Sequence, residues 1–398
     1  AMLATLPLVL MNFHLFAPVG VIANLVCVPL ITLFALPIGF FGLLIYPLIP
    51  QLAELLFQFC GLLLELVLSL AHWFTALPGC GGSYLFLSRW QYLSVGLLIL
   101  PVLISPQLVK QAVLRFATIC FVAAAILWQF PLAQSMPVSL TMFSVGQGES
   151  MLLRNNNGQA ILIDGGGFYS DRFDVGERLL APALGELGVT ELIAVVLTHD
   201  DLDHRKGLVF VLDQFPVREF WIGNQFSDLH FSLQDVLLKN AIPVKTISPG
   251  WSEVPLWSVG RLSLFNGTTP DSNRNDSSLV MYLRHDSHES LLLTGDLEEE
   301  GVLRLLAAGL PGAVSLLKLP HHGSKFSATD RLIDQLQPEC SLVSAGYQNR
   351  YHFPARQVVD YLKEKGIALY RTDLSGTLQA QLTHSGWQVR SWQRGVFR

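Results

Sequence analysis

The distribution of charge along the chain constrains its fold more than any other feature. Residues 1–53 contain no Asp, Glu, Lys or Arg, and residues 1–136 contain only five charged side chains, against 52 in residues 137–398. A helix needs about 20 apolar residues to cross the hydrocarbon core of a bilayer. The sequence therefore predicts an α-helical transmembrane bundle over residues 1–134, followed by a soluble domain over residues 137–398.

One predicted membrane helix, over residues 53–77, carries polar side chains three and four residues apart, so that they share one face. A charged group near the centre of the bilayer costs about 2.5–3.5 kcal/mol or more, so this face is predicted to line the bundle interior or a water-filled path. The alternative is an amphipathic helix that lies in the membrane interface. We name this set the polar stripe: Glu54, Gln58, Glu65, Ser69 and His72.

The orientation of the chain in the membrane is predicted from two basic residues. Lys110 and Arg115 lie between a span ending near residue 109 and a last span over residues 116–132. Basic residues favour the cytoplasmic side, which would place everything after residue 134 outside the cytoplasm. Because the chain opens directly inside apolar sequence, we also expect it to be the end of a longer protein.

The soluble part is acidic and shows no disulfide framework. Residues 137–398 hold 23 basic and 29 acidic side chains, a net charge of −6, which argues against a general nucleic-acid-binding surface. The five cysteines include no CxxC pair and leave the redox compartment undecided.

A cluster of His and Asp follows the apolar run at residues 192–197, which is typical of a buried strand. Carboxylates so close together repel one another and are costly to bury without positive charge between them. A pair of divalent cations would supply that charge. We therefore predict two adjacent metal sites, one with His199 and Asp201, the other with Asp203 and His204, which a bend in the chain turns the other way. The alternative is a polar turn.

Other Asp and His residues also come directly after predicted strands. Asp164 follows the strand at residues 160–163 and is expected to orient a neighbouring ligand by hydrogen bonding. Asp296 and the pair His321 and His322 follow two later strands, predicted at residues 290–293 and 314–319, and ligands converge at such ends in layered α/β folds. For two further residues, site and structural roles stay equally open: His352 and Asp373.

These motifs resemble a known superfamily. The HxDxDH pattern starting at His199, the TGD ending at Asp296 and the HHGS starting at His321 resemble the metallo-β-lactamase superfamily, in a variant with Asp in place of the second His of HxHxDH. Together with VGQGES, IDGGG, NDSSL, RTDLSGT and the upstream membrane spans, they resemble the ComEC family of bacterial DNA-uptake membrane proteins. Here Glu149 stands where that family usually has Asp, and His352 lies one place earlier than usual.

The resemblance implies an αββα sandwich with two divalent metal ions, Zn or Mn. It implies metal ligands at His199, Asp201, Asp203, His204 and a bridging Asp296, with His322 or His321 as the late ligand. Asp203, Asp164 and His352 are the expected catalytic residues, with Asp203 or a bridging hydroxide, rather than any Ser or Cys, as the source of the nucleophile. Four cations beside the motifs are candidates to meet substrate phosphates: Arg205, Lys206, Lys325 and Arg350.

The function implied is DNA uptake through the inner membrane. One DNA strand would be carried across while the soluble domain hydrolyses phosphodiesters of the other strand. Expected partners are single-stranded DNA, membrane lipid and other DNA-uptake proteins. Two alternatives stay open: a membrane-anchored metallohydrolase of another phosphoester without transport, and a channel whose sandwich is not catalytic.

We expect a reporter fused after Arg398 to be active only outside the cytoplasm, because Lys110 and Arg115 favour a cytoplasmic connection before the last span. Paired fusions of alkaline phosphatase and a fluorescent protein that folds only in the cytoplasm would measure this. A signal from the cytoplasmic reporter alone would reverse the predicted orientation.

Overall fold

The computed structural model describes residues 2–16, 19–77, 83–104, 110–133, 137–168 and 173–391. The chain divides into two compact units, Ala1–Gln129 and Phe130–Arg398. The boundary predicted between residues 134 and 137 falls mostly outside the described residues and stays a prediction.

The first unit is helical. Its helices are α1 Met2–Phe13, α2 Gly20–Pro29, α3 Leu36–Ile45, α4 Pro50–Ala76, α5 Arg89–Ile104 and α6 Lys110–Ala133, and the short strands β1 Leu15–Phe16 and β2 Ser83–Tyr84 pair antiparallel. A π-helical stretch, Leu30–Ala35, joins α2 to α3. Within the described residues, Gly20–Ile45 and Pro50–Ala76 are long and apolar enough to cross a membrane.

Helix α4 has a buried and an exposed face. Ala53, Val67 and Phe74, fourteen and seven residues apart, lie on one side of the helix and are buried within the first unit. All five residues of the polar stripe are exposed. The described residues therefore leave the polar stripe uncovered, and its predicted place inside a bundle or beside a water-filled path stays a prediction.

The second unit contains two sheets. The strands are β3 Ser139–Met142, β4 Met151–Arg154, β5 Ala160–Ile163, β6 Ala194–Val196, β7 Phe220–Ile222, β8 Val244–Thr246, β9 Gly250–Glu253, β10 Arg261–Asn266, β11 Val280–Arg284, β12 Ser290–Leu293, β13 Leu316–Lys318, β14 Cys340–Val343, β15 Ala368–Arg371, β16 Leu378–Thr383 and β17 Gly386–Ser391. The eight-stranded sheet has the order β17-β16-β3-β4-β5-β6-β7-β8, and the seven-stranded sheet has the order β15-β14-β13-β12-β11-β10-β9.

The helices of this unit cover the two sheets. They are α7 Ala181–Glu186, α8 Leu202–Gln214, α9 Phe231–Lys239, α10 Glu299–Ala308, α11 Thr329–Leu336, α12 Arg356–Glu364 and α13 Thr372–Ser375. Successive side chains of a strand point to opposite faces of its sheet, and β12 shows what each face packs against. Leu291 and Leu293 join the core between the two sheets, whereas Leu292 packs with Val302 of α10 and Leu332 of α11. The predicted αββα sandwich is confirmed.

Parallel pairing of strands brings together the polar residues that follow the strand ends. Strands β5 to β8 are parallel neighbours in one sheet, and β12 to β15 are parallel neighbours in the other. The carboxyl ends of parallel strands meet at one edge of their sheet. The loops after β5, β6, β12 and β13 therefore carry Asp164, His199, Asp296 and His322 to one region.

The structure differs from the sequence prediction at the His199 motif. The sequence predicted a bend, whereas Leu202 begins α8, so Asp203 and His204 lie in its first turn and Asp201 is the extended residue before it. An acidic residue in the first turn is favoured by the positive end of the helix dipole.

Helix α8 approaches the loop after β5 backbone to backbone. A Cβ atom added at Gly207 would lie 2.1 Å from the carbonyl oxygen of Gly165. The amide of Gly207 also donates to the carbonyl of Gly166 at 3.1 Å. This close approach brings His204 within hydrogen-bonding distance of Asp164, and only glycine permits it.

We expect Gly207→Ala to destabilise the protein, although alanine in an ordinary helix interior is favoured over glycine by about 0.5–1 kcal/mol. The added methyl group overlaps the Gly165 carbonyl, and such overpacking costs about 1–3 kcal/mol. Chemical denaturation of the full chain in detergent would measure the change. Asp235→Ala on the exposed face of α9 is the control, and a more stable Gly207→Ala variant would contradict the expectation.

Candidate metal centre

Three buried histidines, His199, His204 and His322, direct Nε2 toward the centre of the site. Nδ1 of His204 lies 2.8 Å from Asp164 Oδ2, and Nδ1 of His322 lies 2.9 Å from the Ser344 carbonyl oxygen. The two partner oxygens can only accept a hydrogen bond, so Nδ1 of each ring carries a proton and donates it. Nδ1 of His199 lies 3.1 Å from Thr198 Oγ1, whose own proton goes to Asp164. Each Nε2 is therefore left to face the carboxylates.

Asp164 orients two neighbours at once. It is fully buried, at φ 56°, and accepts from the Thr198 amide at 2.8 Å and the Thr198 hydroxyl at 2.7 Å in addition to His204. A short side chain that bonds locally lets Asp adopt this left-handed backbone more readily than most residues. The structure thus places Asp164 behind His204, at the position of a group that orients a ligand rather than one that touches substrate.

Asp296 lies at the centre of the inward-facing nitrogens. Its Oδ2 is 3.3 Å from His204 Nε2 and 3.2 Å from His322 Nε2. The Asp296 amide donates to Ser278 Oγ at 3.0 Å, which holds the loop after β12 in place. Three overlapping groups bring their donor atoms within 4.8 Å of one another: His199, His204 and Asp296; Asp203, His204 and His322; Glu149, Asp296 and His322.

The charges of the buried groups depend on one another. Burial, together with the nearby His204, lowers the pKa of His199 to about 3. Burial also lowers the pKa of His204, but Asp296 and Asp164 outweigh it and raise that pKa well above its ordinary value. Burial raises the pKa of Asp296, yet His322, His204 and Lys318 together hold it well below its usual range. The Asp296 carboxylate therefore stays ionised because positive charge surrounds it.

Two predicted ligands lie at the solvent side. Asp201 Oδ2 is 3.7 Å from His199 Nε2, and Asp203 Oδ2 is 3.9 Å from His322 Nε2. About a third of each carboxylate side chain is exposed. Arg274, which sequence reasoning missed, reaches Asp201 Oδ1 at 3.1 Å from a loop 73 residues away.

Of the two late histidines, His322 faces the other donors. His321 is directed toward Glu298 instead, with 3.4 Å between Nδ1 and Oε1. Both have positive φ, 45° and 56° respectively, and this left-handed pair of residues turns the two rings to different sides. His352 is exposed and belongs to none of the three donor groups found among the described residues.

The predicted phosphate-binding cations divide into two classes. Arg205 pairs with Asp200 at 2.7 Å, and Lys206 donates to the Phe168 carbonyl at 2.8 Å. Lys325 and Arg350 are exposed and lie over the rings of Phe326 and Tyr351. Asp373, left open between site and structural roles, accepts two bonds from Arg371.

Sequence reasoning also missed a buried ion pair beside Asp296. Lys318 and Glu149 are both fully buried, and the ammonium group contacts the Glu149 carboxylate directly. Burial lowers the pKa of Lys318, but Glu149 and Asp296 outweigh it and raise that pKa, while burial raises the pKa of Glu149 against the effect of Lys318. We take the pair as ionised, because a proton on Glu149 would take away the counter-ion that touches the ammonium. The one sequence signal that points to this ion pair is Lys318 itself, a lysine within the otherwise apolar run Leu316–Leu319.

The residues present fit a divalent metal. Nε2 of His322 is buried without a hydrogen bond. A buried polar atom left without a partner is costly, so this nitrogen marks a place where a partner belongs. Imidazole nitrogens and carboxylate oxygens together are suitable donors for Zn and Mn.

The comparisons with known proteins assign the family. The metallo-beta-lactamase superfamily model matches residues 144–347. The chain belongs to this superfamily. The competence protein model matches residues 1–109, and the order of the two regions matches the ComEC family. The metallo-β-lactamase fold implies a hydrolase that binds divalent metal.

Similar proteins include relatives and a solved structure. The chain is 29% identical to ComE operon protein 3 of Bacillus subtilis, over 95% of this chain and 50% of that protein. It is 28% identical to competence protein ComA of Neisseria gonorrhoeae, over 65% of this chain and 35% of that protein. Zn-bound PqqB from Methylobacterium extorquens superposes with a TM-score of 0.37 and 10% identity, over 58% of this chain and 97% of PqqB. The chain spans about half the length of ComE operon protein 3.

We expect Asp164→Asn to weaken Mn²⁺ or Zn²⁺ binding by about 10–100-fold, the usual cost of losing a group that orients a metal-binding His. The amide cannot accept from both His204 and the two donors of Thr198, so the His204 ring loses its fixed orientation. Competition with a chelating dye would measure the affinity of the full chain. Unchanged affinity would show that Asp164 serves the fold alone.

Proposed function

We propose that this chain is part of a membrane protein that takes up DNA, in which the sandwich hydrolyses phosphodiesters of the strand that is not imported. One observation carries the proposal: the same chain joins a competence-protein region to a metallo-β-lactamase domain with overlapping groups of His and Asp donors. A helical membrane unit and a buried hydrolytic centre in one polypeptide are what coupled transport and strand removal require.

The donor groups support two divalent ions, Zn or Mn. Asp296 belongs to two of the groups, and a carboxylate, unlike the single inward nitrogen of His204, could serve two neighbouring ions. In this proposal His199, Asp201, His204, Asp203, Asp296 and His322 hold the ions. When bound, two divalent cations supply Lewis-acid polarisation of a phosphoryl oxygen and activation of water.

The protein's own groups have distinct roles in this proposal. Asp164 and Ser344 hold His204 and His322 with Nε2 inward. Asp203, a third exposed at the mouth of the site, positions water and accepts a proton. Exposed Lys325 and Arg350 meet substrate phosphates, whereas Arg205 and Lys206 are committed to internal contacts. His352, exposed and outside the donor groups, is left out.

For the membrane unit we propose a multi-pass inner-membrane protein with the sandwich outside the cytoplasm. Within the described residues, two helices satisfy the length and composition of a span, and α5 and α6 contain shorter apolar stretches. The uncovered polar stripe on α4 would line or support the path of the imported single strand. Its partners would be DNA, membrane lipid and other DNA-uptake proteins.

The test is hydrolysis of labelled single-stranded DNA by the full chain in detergent, loaded with Mn²⁺ or Zn²⁺. Asp203→Asn is expected to lower the rate by about 100-fold or more, because a neutral amide neither balances metal charge nor accepts a proton. It should also lose one bound ion. Asp235→Asn, the same change on the exposed face of α9, is the matched control.

The outcomes separate the alternatives. Cleavage of small phosphodiesters without cleavage of DNA would favour a membrane-anchored hydrolase of another phosphoester. Metal binding without hydrolysis of any phosphodiester would favour a sandwich that is not catalytic. Wild-type protein that binds no divalent ion would refute the metal centre itself.

A further inference from the structure

The ammonium group of Lys318 is a permanent positive charge inside the candidate centre. Besides contacting Glu149, it donates to the Gly295 carbonyl at 2.7 Å and lies 3.5 Å from Asp296 Oδ1. Lys318 ends β13, and Gly295 precedes Asp296 in the loop after β12. One side chain therefore holds the backbone of the Asp296 loop and one oxygen of its carboxylate, while Oδ2 is left toward the histidines.

Glu149 reaches this place from the other sheet. It precedes β4, its amide donates to the Asp203 carbonyl at 3.1 Å, and its carbonyl accepts from the Gly166 amide at 2.7 Å. Its donor atom lies within 4.8 Å of those of Asp296 and His322, close enough for it to be a metal ligand. Its carboxylate lies closer to the Lys318 ammonium group than the carboxylate of Asp296 does.

Lys318 adds buried positive charge to a centre rich in carboxylates. Five carboxylates surround the donors: Asp164, Glu149, Asp201, Asp203 and Asp296. Two divalent cations would bring four positive charges and Lys318 a fifth, while the mostly exposed Arg274 pairs with Asp201 at the rim. Buried charges are tolerated when they are compensated and are strongly destabilising when one partner is removed.

We propose that Lys318 and Glu149 neutralise one another beside the metal ions, so that the ammonium group withholds Glu149 from the ions and Glu149 withholds the ammonium group from Asp296. Lys318 and Glu149 are thus positioning residues, and neither touches substrate. The inference rests on the proposed divalent metal centre but not on the identity of the phosphoester. It predicts that replacing both Lys318 and Glu149 with uncharged residues preserves metal binding, whereas replacing Glu149 alone weakens it.

The test compares the full chain with two variants, Glu149→Gln and the double variant Glu149→Gln with Lys318→Met. In Glu149→Gln the ammonium keeps its charge, loses its partner and competes for Asp296. The affinity for Mn²⁺ should fall by about tenfold or more, in the range seen when groups that orient ligands are lost. The double variant removes both charges and should recover the affinity to within about threefold, since removing both partners of a pair is far milder than removing one.

Two measurements on each protein separate positioning from folding. Chelator competition gives the Mn²⁺ affinity, and the unfolding midpoint in chelator gives the stability of the metal-free chain. Asp213→Asn, which removes a carboxylate from its 2.6 Å pair with Lys239, is the matched control and should leave the affinity unchanged. An unchanged affinity in Glu149→Gln, or a double variant as weak as Glu149→Gln, would overturn the inference. Wild type that binds no Mn²⁺ or Zn²⁺ would instead refute the proposed metal centre.

Discussion

The concentration of carboxylates where the two sheets meet is the constraint on which this structure depends. Asp164, Glu149 and Asp296 are buried there, and Asp203 lies at the rim. Such groups cannot leave water without positive charge beside them. Lys318 supplies part of that charge, and a protonated His204 or a divalent metal supplies the rest; only a metal also supplies hydrolytic chemistry.

The architecture holds these groups in fixed positions. Each inward-facing imidazole has its other nitrogen tied to a neighbour, and Asp164 ties two elements together through Thr198 and His204. Glycines at the contact between α8 and the loop after β5 allow the backbones to meet. A ligand set built on strand ends and a helix start, and supported from behind, is rigid enough to define a metal site.

The second unit would also have to reconcile its acidity with the polyanionic substrate proposed above. With a net charge of −6, residues 137–398 would repel DNA at long range. Positive charge is placed locally instead, on exposed Arg274, Lys325 and Arg350, and metal ions would add more. In the first unit nearly all charge is absent, and the polar stripe on α4 is left as the polar face of a long apolar helix.

By itself the sequence determined an apolar helical part followed by an α/β sandwich and several strands, and it predicted most of the residues that meet at the candidate site. Strands β5 and β12 lie at the residues predicted, because a short apolar run bounded by turn residues is a local signal. Helices α10 and α11 and strand β14 were missed, since their short patterns gain stability only from packing on the sheet. Tertiary structure decided which late histidine faces Asp296 and paired Lys318 with Glu149, 169 positions earlier in the chain. A charge pair between two sheets exists only after the sheets pack, so no local pattern encodes it.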